Sequence, residues 1–497
     1  MSSTSTGRRL TTASRSYNEA LGLLSQLYSN RQITHLFEKT PGSSSANKPA
    51  EDLNALAIPE MRQWLRRAGY EPKDLARLRH IHVAGTKGKG SVSAFATGML
   101  RQYETVGTYT SPHLVSPRER IAIQGEPVSQ GLFAEAFFEL WERLSDTAKK
   151  EGMNTAEAEG PNSKPFFFRF MTILAWHIFL RENVDSVVLE CGIGGEYDAT
   201  NVVPPDAVSV AVLTQLGIDH VAMLGDTVEK ISWHKAGIFK PGVRGFVRKI
   251  EEKPTVRHVL QERAAEKGAE LVELDDSLVE QWGGVPGRLP GNFQKYNQAL
   301  AVLAVREHLG MGSDPKTALL NLPDKMVQGL KEANIRGRCE VIQQGHIGWH
   351  LDGAHTKDSM QEVVKWFVAT LSPDESAVLV FNQQERDAAE LLTVLLDAIR
   401  DTSGRENIFS HAFFTRNDQE KPVDGEARDL EVQLRVARTM DERAPSCHTK
   451  TFDNIQDTVA EVRKIAEQGG SHQKVLATGS MYLAGGILRA LEPEGLL

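Results

Sequence analysis

Seven consecutive residues, Gly85-Thr86-Lys87-Gly88-Lys89-Gly90-Ser91, concentrate three glycines, two lysines and a serine hydroxyl. Such a run is suited to cradling phosphates. Glycines let backbone N–H groups approach phosphate oxygens, and the N-terminus of a following helix adds partial positive charge. Lys89 is placed to reach the terminal phosphates of a nucleotide, and the Ser91 hydroxyl to ligate Mg²⁺. The strict GxxxxGK[ST] pattern is not met: Gly90 separates the lysine from the serine, and position 83 is Val. A glycine-rich turn with a solvated lysine is the bland alternative.

Two further positions offer a carboxylate and an imidazole. The run VDSVVLE ends on Glu190 and leads into Gly192-Ile193-Gly194-Gly195, and AVSVAVL (207–213) leads into Thr214-Gln215-Leu216-Gly217-Ile218-Asp219-His220. Short valine-rich runs suit strands buried on both faces of a parallel sheet. Ligands of open α/β sheets bind outside the carboxyl ends of such strands. Glu190 and His220 are therefore candidates, with Ser91, to hold Mg²⁺ carried by ATP, although hard cations prefer oxygen to imidazole. Glu190 as a cap acceptor or ion-pair partner, and His220 as a core or loop histidine, remain open.

The elements that must position these groups are legible from periodicity. Residues 79–84 (RHIHVA) read as a strand entering the glycine loop. Residues 91–103 read as the helix leaving it, with Val92, Phe95, Ala96, Met99, Leu100 and Tyr103 at helical spacing. Residues 17–37 read as an N-terminal helical region, 41–50 as a loop, 148–164 as a surface loop and 166–180 as a buried helix. Past residue 335 a second alternation begins, with strands expected at 376–381, 409–414 and 474–477 and helices at 360–370 and 387–400. The expected fold is α/β: an N-terminal P-loop ATPase domain on a mostly parallel, doubly wound sheet, then a smaller C-terminal Rossmann-like α/β domain. The boundary falls near Asn334–Gly337, giving domains 1–334 and 335–497.

Composition narrows the class of protein. The chain has 497 residues and a net charge of −8 from 57 basic and 65 acidic side chains. That balance argues against a general nucleic-acid binder. Cys191, Cys339 and Cys447 lie far apart with no CxxC, which suits a reducing compartment and argues against a structural zinc site. The apolar stretch 166–180 carries Arg169 and His177. It is shorter than the roughly 20 residues of a membrane span. The first 18 residues hold Arg8, Arg9 and Arg15 and no acid before Glu19, so a mitochondrial transit segment and a polar tail both stay open.

GTKGKGS, TSPHLVSPRERI (110–121), ECGIGGEYDATN (190–201), LGIDH (216–220), LGDTVEKISWHKAGIFK (224–240), LDGAHT (351–356) and ATGSMYLAGG (477–486) occur in this order. Together they resemble the folylpolyglutamate synthases of the Mur-ligase-like, ATP-dependent amide-forming family, and PFFFRFMTILAW resembles eukaryotic members. The resemblance implies an ATP- and folate-binding region in 1–334 and a glutamate-ligase region in 335–497. It implies addition of L-glutamate to the γ-carboxylate of a tetrahydrofolyl-(poly)glutamate through an acyl phosphate, with ADP and phosphate as products. Dihydrofolate synthase, alone or bifunctional, is the neighbouring reading. A P-loop switch or motor is a rival from another class, and it leaves the Asp-Gly-Ala-His of the second region unexplained.

The site residues implied by the resemblance are these. Gly85, Thr86, Lys87, Gly88, Lys89, Gly90 and Ser91 form the triphosphate site. Ser91, Glu190 and His220 are magnesium ligands, and Lys235 matches the lysine often carbamylated to hold a second Mg²⁺. A monovalent cation such as K⁺ joins the expected set. Gln294 and Asn297 lie in the adenine-side segment. Arg338 reaches the nucleotide phosphates, and Asp352 and His355 close over the nucleotide. Lys89, Lys235, His220 and Arg338 are the expected catalytic residues. Thr110, Ser111, Pro112 and His113 are expected near folate, with Asp198 and Thr200 beside them. Two departures stand out. Ile335-Arg336-Gly337-Arg338 replaces the family's frequent Trp-Pro-Gly-Arg, keeping the arginine without its rigid aromatic approach, and Thr356 replaces the Asn often found in bacterial relatives. Met481 and Tyr482 are expected in the core. Folate polyglutamates and L-glutamate are the expected partners. A cytoplasmic monomer is expected, with no nucleic acid and no membrane span, and a mitochondrial pool follows from the transit reading.

Overall fold

The computed structural model describes residues 15–28, 54, 56–384, 387–422, 428–469 and 472–492. The transit-segment reading, the 29–37 part of the expected N-terminal helical region and the 41–50 loop lie outside the described residues. Among those described, 15–111, 120–283 and 296–329 form one compact unit, and 112–119, 284–295 and 330–492 form another.

The first unit is built on a sheet of β1 (Arg79–Ala84), β2 (Val106–Tyr109), β3 (Ile121–Ile123), β4 (Glu126–Pro127), β5 (Ser186–Glu190), β6 (Val208–Leu213), β7 (Arg244–Arg248) and β8 (Glu270–Leu274). The strands lie side by side in the order β4-β3-β2-β5-β1-β6-β7-β8. β2, β5, β1, β6, β7 and β8 are parallel, and β3 and β4 add an antiparallel edge. β1 sits between β5 and β6, so the loops leaving all three emerge together at the carboxyl end of the sheet. β5 is buried along its whole length and β6 nearly so, as valine-rich runs flanked on both faces require.

The apolar stretch near 166–180 forms the helix Phe167–Arg181, buried at every position from Phe170 to Leu180. It packs with the helix Gln130–Lys150 through Phe137, Trp141 and Phe170. The expected surface loop 148–164 is corrected. Gln130–Lys150 runs into it, Asn154 caps a short helix Thr155–Glu159, and Pro161–Ser163 forms a 3₁₀ turn. Ser163 and Lys164 are buried there. The Lys164 ammonium donates to the Ala158 carbonyl at 2.9 Å and lies 4.6 Å from the Trp141 ring centre. Most of 150–162 is exposed, as its polar composition suggests, but it is helical in part and ends on a buried lysine.

The second unit carries β9 (Glu340–Gln344), β10 (Ile347–Leu351), β11 (Ala377–Phe381), β12 (Phe409–Thr415), β13 (His448–Phe452) and β14 (Gln473–Thr478), in the order β13-β12-β11-β14-β10-β9. β9 is antiparallel to β10 and the rest are parallel. β14, last in sequence, fills the slot between β10 and β11. One face is covered by Met360, Phe367, Leu392 and Leu395, and the other by Val459, Val462, Leu483 and Ile487.

Candidate active site

β1 delivers its chain directly into the glycine loop. A Cβ at Gly85 would lie 1.8 Å from the Thr214 hydroxyl. Gly88 has φ +90°, and a Cβ there would lie 2.5 Å from Asn297 Oδ1. These two glycines are required by close approach, and Gly88 also by its left-handed backbone. The loop is tied to the segment leaving β6. The Thr86 and Lys87 N–H groups both donate to the Gln215 carbonyl, at 2.9 and 3.2 Å, and the Thr86 hydroxyl donates to Gly217 O at 3.0 Å. The helix Lys89–Leu100 then starts with no side-chain cap at Gly88. A helix start without a side-chain cap suits an anion site.

Two ammonium groups converge on one loop carbonyl. Gly85 O accepts from Lys89 Nζ at 3.1 Å and from Lys235 Nζ at 2.8 Å. Lys235 ends the helix Val228–Lys235 and is 1% exposed. Burial, followed by the neighbouring Lys89 charge, brings its pKa down to about 8. Glu190, at the end of β5, is 3% exposed and its Oε2 has no hydrogen-bond partner. Burial raises its pKa to about 7, against the pull of Lys89 and Arg120. A buried carboxylate oxygen without a donor, beside a phosphate loop, fits a cation as ligand. No group of three or more His, Cys, Asp or Glu side chains suited to a metal occurs among the described residues. A metal here would take mixed donors.

His220 adopts a left-handed backbone, with φ +47°, at the start of the short turn Val221–Leu224. Its Nε2 lies 3.5 Å from Asp219 Oδ2, and burial lowers its pKa. Asn297 is buried against Gly88. Gln294 is also buried, but it falls in the other unit. The expected folate residues are likewise divided, with Thr110 and Ser111 in the first unit and Pro112 and His113 in the second.

Asp198 and Thr200 are buried, and both Asp198 oxygens are occupied. Oδ2 accepts from the Gly192 and Ile193 N–H groups, each at 3.0 Å. Oδ1 accepts from Thr200 N at 2.9 Å and Thr200 Oγ1 at 2.6 Å. In this structure the pair shapes the loop that follows Glu190. Arg120 escaped sequence reasoning. It is buried, its guanidinium lies 5.1 Å from the Phe167 ring centre, and its charge acts on Glu190. The signal was present in the PRER run, but an arginine in a polar string reads as solvated.

In the second unit, β10 leads into Asp352-Gly353-Ala354-His355. Asp352 is 4% exposed, accepts from the Cys339 N–H at 2.8 Å and lies 4.0 Å from the half-exposed Arg338 guanidinium. His355 Nδ1 is 2.9 Å from Gly353 O. Where the family's Trp-Pro is absent, Arg336 pairs with Glu340 and Glu492, each at 2.7 Å, and Gly337 turns with φ +66°. Ion pairs thus hold the approach to Arg338. Tyr482 corrects the core expectation: it is 67% exposed. Ser480 caps the helix Met481–Leu491 through Tyr482 N, which sets that ring on the helix's outer face.

What the first unit can do is bind a nucleoside triphosphate and stabilise charge on its terminal phosphoryl group. Together with a second α/β unit in the same chain, this defines a phosphate-loop enzyme of the ATP-using α/β class. Residues 335–490 match the family model described as "Dihydrofolate synthetase, C-terminal domain". Over 99% of its length the chain is 38% identical to the folylpolyglutamate synthase of Neurospora crassa, covering 94% of that protein. It is 34% identical to the folylpolyglutamate synthase of Saccharomyces cerevisiae over 95% of this chain and 86% of that one. The fold is similar to Mycobacterium tuberculosis folylpolyglutamate synthase complexed with ADP, with TM-score 0.66, 22% identity and coverage of 96% and 100% of the two chains. It is also similar to the Thermotoga maritima folylpolyglutamate synthase, with TM-score 0.64, 22% identity and coverage of 90% and 97%. The chain belongs to the folylpolyglutamate synthase family.

Proposed function

We propose that this chain lengthens folates by L-glutamate at the expense of ATP. The acceptor is the γ-carboxylate of a tetrahydrofolyl-(poly)glutamate. A carboxylate is a poor electrophile, so it takes the terminal phosphoryl group first, and the glutamate amine then displaces phosphate from the acyl phosphate. The observation that carries this reading is the pair of lysines on Gly85 O, facing an uncapped helix N-terminus beside the unpartnered Glu190 oxygen.

The residues divide the work as follows. The loop from Gly85 to Ser91 binds the phosphates at the start of its helix, the Thr86 and Lys87 N–H groups being held by the Gln215 carbonyl, and Lys89 places positive charge where it develops in phosphoryl transfer. Ser91, Glu190 and His220 would hold Mg²⁺, which when bound neutralises charge on the phosphate oxygens. Lys235, its pKa lowered by burial, exists as neutral amine to a larger extent than an ordinary lysine. A neutral amine adds carbon dioxide with loss of a proton and becomes a carbamate, an oxygen ligand for a second Mg²⁺. A monovalent cation such as K⁺ belongs to the same proposed set. Thr110, Ser111, Pro112 and His113 orient folate, and Gln294 and Asn297 serve the adenine side. Arg338, Asp352 and His355 act in nucleotide turnover. Arg338→Ala should therefore lower turnover by about 10–100-fold and change folate binding less; equal losses in both would remove Arg338 from the nucleotide.

The deciding experiment is a mass-spectrometric assay with tetrahydrofolate, ATP and glutamate. Products spaced by one glutamate residue support the proposal. Activity on dihydropteroate alone would make the chain a dihydrofolate synthase. The functional division at 334/335, a monomeric state and a cytoplasmic location with a mitochondrial pool belong to the same reading. Light scattering and cell fractionation test the last two. No helix among the described residues is long and apolar enough to cross a membrane.

A further inference from the structure

We propose that His82 is a positioning residue of the ligase, acting through Thr200 and Asp198 on the loop that follows Glu190. His82 lies on β1, three residues before Gly85, and is wholly buried. Its Nε2 is 2.9 Å from Thr200 Oγ1 and 3.2 Å from Cys191 Sγ. Thr200 has one hydroxyl proton, and the Asp198 carboxylate 2.6 Å away takes it. Toward His82 the threonine oxygen can therefore only accept. That assigns the proton of a neutral imidazole to Nε2 and leaves Nδ1 bare. The structure agrees, since Nδ1 is buried with no partner. The direction of donation then runs one way: His82 to Thr200, Thr200 to Asp198.

Asp198 in turn receives the Gly192 and Ile193 N–H groups, the first turn after Glu190-Cys191. The same loop backs the second lysine: Glu196 N donates to His234 O at 2.7 Å, and a Cβ at Gly195 would lie 2.7 Å from Lys235 O. Its outer side is clamped by Glu196, which pairs with buried Arg263 and with Lys267. One buried histidine on the strand of the phosphate loop thus helps fix a loop joined to both Glu190 and Lys235. Removing its donor leaves Thr200 with the weaker Cys191 thiol, 3.4 Å away, as its remaining side-chain donor and the loop freer to shift. Neither the fold nor the phosphate loop need change.

The test is a comparison of His82→Leu, His82→Gln, Thr200→Val and the double variant His82→Leu/Thr200→Val in a glutamate-dependent ADP-release assay, with wild type as control. A Gln side chain places an N–H donor where Nε2 stood and Leu does not. Selective ¹⁵N-histidine NMR of the wild type reads the tautomer independently of activity. The expected result is a turnover loss of about 10–100-fold for His82→Leu and for Thr200→Val, the size seen when an outer hydrogen-bond partner of a ligand site is removed. KM for ATP should stay within about twofold, His82→Gln should recover most of the rate, and the double variant should fall no further than the worse single variant. The proposal is overturned if Gln restores no more than Leu, if folded Thr200→Val works at the wild-type rate, or if Nδ1 carries the proton. Should His82→Leu not fold, the near-isosteric Thr200→Val decides alone. A silent wild type would count against the ligase reading, leaving the NMR result to judge His82.

Discussion

Each unit of this protein has a parallel sheet whose strand runs through a short loop into a helix, and the two loops end differently. In the first, β1 reaches the helix Lys89–Leu100 through Gly88, which offers no side-chain cap. In the second, β10 reaches the helix Lys357–Val368 through Thr356, whose hydroxyl accepts from the Ser359 N–H. The same architecture omits a side-chain cap in one place and supplies one in the other. Near the uncapped terminus three buried side-chain atoms are unpartnered: Glu190 Oε2, Thr214 Oγ1 and His82 Nδ1. In the second unit, Asn382 bonds Asn417 and Gln433, and Gln383 donates to Gly479 O. Unpartnered buried atoms also occur in the second unit, as at Thr478 Oγ1 on the end of β14; what sets the first loop apart is the convergence of Lys89 and Lys235 on Gly85 O.

That contrast can be broken from the ligand side first. Lys89→Ala should lose about 10²–10³ in turnover, as when a group stabilising transition-state charge is deleted, with the circular dichroism spectrum unchanged. Activity within twofold of wild type would take Lys89 out of the site. Lys235→Ala should follow with a loss on the order of 10²-fold, assigned to the carbamate it would carry. Formate or acetate at tens of millimolar, by supplying oxygen donors, should restore part of that rate. Full activity of the variant without additive rejects the carbamate.

Acid separates the units next. Burial lowers the His80 pKa to about 4 from 6.5. A base whose folded pKa lies below its unfolded value binds fewer protons when folded. The folded state is therefore favoured above pH 6.5 and loses that advantage as pH falls from 6.5 to 4, by about 3 kcal/mol for this one group. Calorimetry at pH 7 and 5 should show one transition falling more than the other, and His80→Gln should reduce the shift. Equal shifts of both transitions would refute the assignment to the first unit. The smallest effect sits at the satisfied terminus. Thr356→Ala should cost about 1 kcal/mol in urea unfolding and leave turnover within a few-fold. A loss as large as that of Lys89→Ala would mean the capped terminus also serves the ligand.

The sequence alone determined the strand–glycine loop–helix unit, because glycine content and period-3.6 burial are local properties. β1 spans the expected 79–84, and Phe167–Arg181 is the expected buried helix. It also determined Glu190 as a strand-end carboxylate, since five buried residues in a row admit few alternatives. Composition hid the short capped helix Thr155–Glu159 inside an exposed polar segment, and it misled at Tyr482, where a hydrophobic run hides which face a helix turns outward. Only the tertiary structure decided that Lys235 shares Gly85 O with Lys89 from 150 residues away in the chain, that Arg120 is buried beside Glu190, and that Asp198 spends its oxygens on its own loop. Such pairings depend on which strands become neighbours. Strand order is set by the packing of the whole sheet, which no local pattern encodes.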